Sequence, residues 1–267
     1  MLMVAAACSD YKAPTAPGGS DEPPPPVVLL KDLVIPNLPA PYYHFAYDES
    51  GRIVRVSFAS NFTMYDVQYA NQRISQLHNN ILVNHDRLVY VYDDASRVRE
   101  VDYTDAAGNI FTRLHLAYSG TRLTTLNRER LTNAGTFVLD RTTTLGYGAD
   151  GNLSDLTQHY SAIEGIQNEI TYNDHFENYD TGTNVDAFGL LHSEFFDHLV
   201  LLPMVQLQKG NPRRITHTGD GDNYVVDYTY TYDAKNRPQA KTGDLVFLTG
   251  DHAGQHFNDS ATYSYYD

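Results

Sequence analysis

The sequence predicts an all-β protein, an antiparallel meander of repeated tyrosine-rich hairpins that forms a curved open sheet or a partly closed barrel. Aromatic residues make up 12% of the chain, with 21 Tyr and 11 Phe, and these residue types suit a pleated, half-buried surface. Short segments in which apolar and polar residues alternate recur along the chain. Clusters of Asp, Asn, Ser and Gly separate these segments, as expected for tight turns.

The clearest copy of the repeated unit comes early in the chain. Tyr43–Tyr47 alternates aromatic residues with small or polar ones, residues 48–52 interrupt the pattern, and Ile53–Phe58 resumes it. This order predicts a strand, a turn and a second strand. Because one isolated hairpin is only marginally stable, successive hairpins must pair with each other, and we expect roughly 14 to 18 strands.

Tyrosines mark the repeat at intervals of 22 to 29 residues, namely Tyr47, Tyr69, Tyr92, Tyr118, Tyr147 and Tyr172. A longer interval leads to Tyr232, and residues 262–266 form a last strand. We expect the tyrosine rings to form the core of the sheet, with their hydroxyls reaching its rim. The alternative is that exposed rings stack on sugars, but the absence of Trp favours the core role.

Residues 47–53, Tyr-Asp-Glu-Ser-Gly-Arg-Ile, resemble the YD hairpin repeats of Rhs-type proteins. From Tyr42 to the C-terminus, the arrangement is similar to surface lipoproteins of the Bacteroidota that carry a single domain of degenerate YD repeats. The similarity includes an insertion after Tyr179-Asp180 that ends in Lys-Gly-Asn-Pro at 209–212. The resemblance implies the fold and a bacterial surface location, but no particular activity.

The N-terminal region predicts export and a lipid anchor. Residues 1–7 are apolar and then small, and they end at Cys8, the single cysteine. This pattern resembles the end of a lipoprotein signal peptide, although Ala5 replaces the usual Leu and no basic residue precedes it. Cleavage would leave Cys8 as a lipidated N-terminus attached to the membrane. The alternative is an ordinary apolar N-terminus with a buried thiol.

Nine of the 12 prolines lie between residues 14 and 41. Residues 8–41 are therefore predicted to be a semi-rigid tether, in which 27–35 is apolar enough to dock as an edge strand. Residues 42–267 are predicted to be a single domain. The predicted location is the cell envelope, on the surface or periplasmic face of the outer membrane.

The charge of the chain excludes some partners. It has 33 Asp and Glu against 19 Lys and Arg, a formal net charge of -14. A protein that neutralises phosphates needs the opposite sign, so the sequence predicts no nucleic-acid partner. After the N-terminal region, no run of 18 apolar residues predicts a membrane-spanning helix.

The segment 185–208 departs from the alternating pattern. Apolar residues recur there at intervals of three and four, at Phe188, Leu191, Phe195, Leu199 and Leu202. This spacing predicts a helix of about three turns that Pro203 ends or kinks. We expect the helix to cover an open end or one face of the sheet. The alternative is that the helix and the sheet enclose a ligand cavity.

No motif predicts catalytic residues, a metal site or a cofactor. His192 and His198, in the insertion with Glu194 and Asp197, are six residues apart and do not share a helical face. His252 and His256 have the spacing of a helical metal site, but they lie in a loop-like stretch, 250–258. Residues 219–223, Gly-Asp-Gly-Asp-Asn, lack the closing Glu of a calcium loop and predict a hairpin turn.

Ser260 is the candidate residue for a covalent modification. It lies in Asp-Ser-Ala at 259–261, which resembles a short O-glycosylation signal of the Bacteroidota. Taken together, these features predict a non-catalytic envelope lipoprotein that acts as a binding or scaffold module for a glycan or a protein. The alternative is a hydrolase that acts on polysaccharide or peptide, with carboxylates near the insertion.

Overall fold

The protein forms a closed antiparallel barrel of sixteen strands in the computed structural model, which describes residues 28–80, 85–192 and 199–267. Every strand pairs with its neighbours in the chain, and β1 pairs with β16 to close the sheet. The strands are β1 Leu30–Val34, β2 Tyr43–Tyr47, β3 Ile53–Phe58, β4 Thr63–Ala70, β5 Arg73–Asn79, β6 Arg87–Tyr92, β7 Val98–Thr104, β8 Ile110–Ser119, β9 Arg122–Leu131, β10 Phe137–Tyr147, β11 Leu153–Tyr160, β12 Ile170–Glu177, β13 Arg214–Gly219, β14 Tyr224–Tyr232, β15 Pro238–Phe247 and β16 His256–Tyr265.

The predicted all-β meander is confirmed. The sequence predicted an open sheet or a partly closed barrel, whereas the observed barrel is fully closed. Strand β1 lies within the range 8–41 that was assigned to the tether, and it pairs on both sides, with β16 and with β2. It is therefore a barrel strand rather than an edge strand, and the folded domain begins ahead of residue 42. The predicted lipidation site, Cys8, lies outside the described residues.

The apolar side of the barrel faces inward. Alternate side chains of each strand point into the barrel, and those of Val56, Leu77 and Val101 are fully buried. Outward positions carry cross-strand ion pairs, such as Arg55 with Asp66 at 2.7 Å. The outward face of these strands therefore carries charged side chains. In the described part of the chain, no helix is long and apolar enough to span a membrane.

The Tyr-Asp turns lie at one end of the barrel, which we call the tight-turn end. In the first of them, Asp48 Oδ1 accepts hydrogen bonds from the backbone N–H of Ser50 and of Arg52, at 2.9 and 3.0 Å. Asp48 Oδ2 accepts a further bond from Arg52 Nε at 2.8 Å. These hydrogen bonds, with one from the Ser50 hydroxyl, hold the pKa of Asp48 below its ordinary value. The Asp of this motif therefore fixes both the turn and the arginine that follows it.

A ladder of tyrosines connects successive hairpins. Each donates its hydroxyl to a backbone carbonyl 16 to 27 residues earlier in the chain, at 2.6 to 3.1 Å: Tyr47 to Leu30, Tyr69 to Ile53, Tyr92 to Ile74, Tyr118 to Val98, Tyr147 to Leu123, Tyr179 to Leu153, Tyr230 to Pro212 and Tyr265 to Pro238. Arginines from the turns stack on several of these rings, as Arg97 does on Tyr118 at 4.9 Å. The sixth and seventh members are Tyr179 and Tyr230, in place of the predicted Tyr172 and Tyr232.

The insertion between β12 and β13 enters the barrel from the tight-turn end. We call its described parts, 178–192 and 199–213, the plug. They contain one 3-10 helix, Ala187–Leu191, in place of the predicted helix of about three turns. The apolar residues of the plug face different walls of the barrel. Phe188 packs edge-on against Tyr43 and Phe45, and Leu199 is fully buried. A segment that must meet several walls cannot place all its apolar residues on one helical stripe.

Buried amides hold the base of the plug. Asn152 Oδ1, in the β10–β11 turn, accepts hydrogen bonds from the backbone N–H of Lys209 and Gly210 at 2.7 and 3.2 Å. A Cβ atom at Gly210 would lie 2.2 Å from the Asp180 carbonyl oxygen, so this position requires glycine. The 1% exposed Asn211 donates to the Tyr232 hydroxyl at 3.0 Å. The predicted stop at 209–212 is therefore the point where the plug is fastened to the barrel.

Candidate functional site

Aromatic rings line the barrel wall at the end opposite the tight turns, which we call the open end. Five of them face inward from successive strands β11 to β15: Tyr160, Tyr172, His217, Tyr224 and Phe247. Neighbouring ring centres are 6.1, 5.4, 4.5 and 5.8 Å apart in that order. His217 and Tyr224 face each other in the strand register and stack nearly parallel, at 11°. We call these five residues the aromatic mouth.

The aromatic mouth surrounds a cavity of about 520 Å³. Besides the five rings, its lining consists of Leu156, Gln158, Asp174, Leu190, Asp220, Gly221 and Asp222. Three of these lining residues are carboxylates, and none of the described lining residues is Lys or Arg. Leu190 belongs to the 3-10 helix of the plug, so the plug forms part of the cavity floor. The cavity thus combines aromatic walls with a net negative charge.

The tyrosines of the mouth differ from those of the ladder. Within the described residues, the hydroxyls of Tyr160, Tyr172 and Tyr224 make no hydrogen bond, whereas every ladder hydroxyl does. Gln158 is only 8% exposed, and its side-chain amide likewise has no partner in this part of the chain. Polar groups without a partner that converge on one cavity are a feature of ligand sites.

The carboxylates of the mouth are held in place by residues of neighbouring strands and of one connecting loop. Asp174 lies 2.7 Å from His217 Nδ1, and Asp220 Oδ2 accepts the backbone N–H of Thr171 at 2.7 Å. Asp222 lies 2.9 Å from His252 Nδ1. Asp174 and Asp220 are thereby oriented while each keeps one oxygen atom open to a further donor, whereas Asp222 Oδ1 packs against Gly250.

Two connections at the open end pack against each other. Asn223, after β13, donates its backbone N–H to Thr249 Oγ1 at 2.9 Å. Gly250 has a φ of +79°, and a Cβ atom there would lie 1.5 Å from Asp222 Oδ1, so only glycine fits this position. The predicted hairpin turn at 219–223 is confirmed. The assignment of His256 to a loop was wrong, since it begins β16 and pairs with Asp244 at 2.9 Å.

Tyr224 keeps its proton at neutral pH. Burial raises the pKa of its phenol to about 12, and the negative charges of Asp174 and Asp259 act in the same direction. Its hydroxyl is therefore available as a hydrogen-bond donor to a ligand in the mouth.

The other residues that the sequence singled out lie apart from the mouth. His192 Nδ1 bonds to the Tyr43 hydroxyl at 2.8 Å inside the barrel. Glu194, Asp197 and His198 lie outside the described residues. Across the ranges that the structure describes, no group of three or more His, Cys, Asp or Glu side chains is placed to hold a metal ion.

Ser260 lies in strand β16, and its Oγ is buried without a hydrogen-bond partner among the described residues. A glycan on this oxygen would have to displace the atoms packed around it. Modification of Ser260 therefore stays a prediction that requires an opening of the barrel wall or modification before folding.

Most of the mouth could not be recognised in the sequence. Tyr172 was assigned to the repeat, and Tyr160, His217, Tyr224 and Phe247 were not singled out. The sequence feature that could have identified these residues is their position. Each lies at the open end of a strand, away from the Tyr-Asp turns. Alternation alone places a ring inward, but it does not say whether that ring meets the plug or the open cavity.

Two solved structures share the architecture. A porin-like protein from Bacteroides vulgatus ATCC 8482 matches with a TM-score of 0.59 and 13% identity, over 89% of this chain and 99% of that chain. A porin-like protein from Bacteroides uniformis ATCC 8492 matches with a TM-score of 0.57 and 12% identity, over 84% of this chain and 89% of that chain. The chain matches no family model and no curated protein sequence.

At this level of identity, the likeness concerns the fold alone. The class that the structure defines is a closed sixteen-stranded antiparallel β-barrel, filled from one end by its own plug and open to a polar, aromatic cavity at the other.

Proposed function

We propose that this chain is a non-catalytic binding protein of the bacterial cell envelope, and that its aromatic mouth binds a neutral glycan. The observation that carries the proposal is the set of three tyrosine hydroxyls without partners beside three oriented carboxylates in one cavity. Such a set recognises a ligand rich in hydroxyl groups, since each sugar hydroxyl both donates and accepts hydrogen bonds.

The shape and the lining of the mouth favour a sugar. Aromatic rings supply apolar surface for the C–H faces of a sugar ring, while the carboxylates and Gln158 supply polar contacts around it. A volume of about 520 Å³ lies within the usual range for small-molecule sites, which is about 300–1,000 Å³. The rings of His217 and Tyr224 stack nearly parallel with their faces turned to each other, so they do not form a cage around one point. This arrangement favours a sugar over a compact organic cation.

The charge of the mouth favours a neutral ligand. Asp174, Asp220 and Asp222 line it, and Lys and Arg are absent from its described lining. A sulfated or carboxylated sugar would bring a negative charge close to these carboxylates, where repulsion in a partly buried site is strong. We therefore expect neutral oligosaccharides to bind in preference to acidic ones.

The hydrolase alternative has less support. It requires a pair of carboxyl groups that are free to act on one substrate. In the mouth, Asp174 and Asp222 are each paired with a histidine. Near the insertion, Asp186 already accepts a hydrogen bond from the Tyr263 hydroxyl at 2.6 Å.

We further propose that a lipid on Cys8 attaches the protein to the outer membrane and that the proline-rich residues ahead of β1 act as the tether. The signal-like residues 1–7 support the anchor. The charged outward face of the barrel supports attachment through a lipid rather than through the strands. On this proposal, the open end is displayed to glycans or glycosylated proteins of the envelope.

Binding to a glycan array tests the proposed function. We expect the protein to bind neutral oligosaccharides and to show no signal on sulfated or sialylated ones. The double variant Tyr172→Phe/Tyr224→Phe keeps both rings but removes two hydroxyls. Since a hydrogen bond contributes about 1 kcal/mol, it should weaken binding by roughly tenfold or more.

Tyr266→Phe is the matched control, because Tyr266 lies at the tight-turn end and its hydroxyl has no hydrogen-bond partner in the described part of the chain. It should bind as tightly as the unaltered protein. The proposal fails if no glycan is retained, or if the double variant binds like the control. Binding of choline without binding of any oligosaccharide would instead identify the mouth as a cation site.

A further inference from the structure

A second cavity lies deeper in the barrel, between the plug and strands β12 to β16, β1 and β2. Its volume is about 190 Å³, and Leu190 lines both this inner cavity and the mouth. Most of its wall is apolar and includes Leu33, Ile35, Phe176, Phe188, Ile215 and Ala261. An apolar cavity of about 150 Å³ is sufficient to hold benzene, so this one accommodates an apolar group of at least that size.

A lysine points into the inner cavity. Lys241 alternates with outward-facing Ala240 and Thr242 on β15, and its Nζ lies 4.8 Å from the centre of the Tyr228 ring. Among the described residues it forms no ion pair. A half-buried ammonium group with only an aromatic face as its partner retains hydrogen-bonding capacity for an anion.

Two carboxylates line the same cavity. Asp186, from the plug, accepts a hydrogen bond from the Tyr263 hydroxyl at 2.6 Å. Asp259, on β16, accepts one from the Tyr228 hydroxyl. Burial raises the pKa of the Tyr228 phenol, and the charges of Asp259 and Asp186 act in the same direction. Each carboxylate retains an oxygen atom that can accept a bond from a cationic donor.

We propose that the inner cavity binds a small zwitterion with an apolar side chain, namely a free apolar α-amino acid. Lys241 holds its carboxylate. Asp186 and Asp259 hold its ammonium group, and the apolar wall surrounds its side chain. Both the carboxylate and the ammonium group of the ligand therefore have a partner of opposite charge, so burial leaves neither charge unpaired.

Titration calorimetry on the whole chain with three probes of similar size tests this site. The probes are L-phenylalanine, 2-phenylethylamine, which lacks the carboxylate, and 3-phenylpropanoate, which lacks the ammonium group. We expect L-phenylalanine to bind at least about tenfold more tightly than either of the others, because each loses one charge-assisted contact. The proposal is overturned if none of the three binds, or if all three bind equally.

Two variants locate the site. Ala261→Leu fills the cavity and should abolish binding of L-phenylalanine, while Ala240→Leu, on the outward face of the neighbouring strand, should leave it unchanged. If Ala261→Leu does not fold, Lys241→Met serves instead. It should reduce the affinity for L-phenylalanine by about tenfold and leave that for 2-phenylethylamine unchanged. Unaltered binding in both cavity variants would contradict the assignment.

The inner cavity and the mouth are separate proposals. The double variant Tyr172→Phe/Tyr224→Phe alters only the mouth and should bind L-phenylalanine like the unaltered protein. Loss of that binding in the double variant would place the amino acid in the mouth and overturn the inner site.

Discussion

Replacing Asp140 by alanine is expected to lower the free energy of unfolding by about 3 to 5 kcal/mol. Asp140 is fully buried at a bulge where β10 pairs with β9, and it accepts hydrogen bonds from Arg128 Nε at 2.9 Å and Arg130 Nε at 3.0 Å. Arg128 is itself only 3% exposed. Removal of the carboxylate leaves a buried guanidinium without this counter-charge, and desolvation of an uncompensated charge is costly. Equilibrium unfolding in urea, monitored by circular dichroism, measures the loss.

Asp66→Ala is the matched control for this prediction. Asp66 also forms a cross-strand pair with an arginine, Arg55, at 2.7 Å, but the two side chains are 32% and 47% exposed. Water screens such a pair, so the expected loss is below about 1 kcal/mol. If both variants lost the same free energy of unfolding, burial of Asp140 would not explain its contribution to stability.

The barrel is expected to unfold cooperatively between about pH 10 and 12 as its tyrosines ionise. Burial raises the pKa of both Tyr118 and Tyr147 to about 12 from an ordinary value of 10.0. The folded state therefore retains protons that the unfolded state has already lost. The stability that these phenols provide is complete below pH 10 and disappears as the pH rises towards 12, by about 1 to 2 kcal/mol per residue because solvent screens these half-buried groups.

Other ladder tyrosines add to this effect, because burial also raises the pKa of Tyr47, Tyr179 and Tyr265. Phenolate absorbance and circular dichroism, recorded together during an alkaline titration, measure the coupling. We expect ionisation of the ladder and loss of β-structure to share one steep transition. Ladder tyrosines that ionise near pH 10 in a protein that stays folded would contradict the buried ladder.

Much of the fold follows from local sequence pattern. Alternation and turn residues predict an antiparallel meander, and the sixteen strands fall within the predicted range. Closure does not follow from these patterns, because it depends on the register between β1 and β16, at opposite ends of the chain. The plug shows a different limit. Apolar residues spaced by three and four predict one stripe along a helix. The surrounding barrel decides whether these residues contact one surface or several.

The candidate site was harder to predict because chemically identical residues have different environments. Tyr172 fits the interval of the repeat, but Tyr179 is the residue that reaches a carbonyl of the preceding hairpin. The difference between the two depends on strand register and on the insertion that follows, neither of which is local. A tyrosine with a bonded hydroxyl and one facing a cavity cannot be distinguished by spacing alone.

Tyrosine-selective NMR is the most direct test of the central claim that the aromatic mouth is the ligand site. The protein carries ring-labelled tyrosine and is titrated with the neutral oligosaccharide that gives the strongest array signal, with resonances assigned by single Tyr→Phe variants. We predict that the resonances of Tyr160, Tyr172 and Tyr224 shift together with increasing sugar, while those of Tyr118 and Tyr147 in the ladder stay fixed. Shifts confined to tyrosines outside the mouth, or no shift at saturating sugar, would contradict the account.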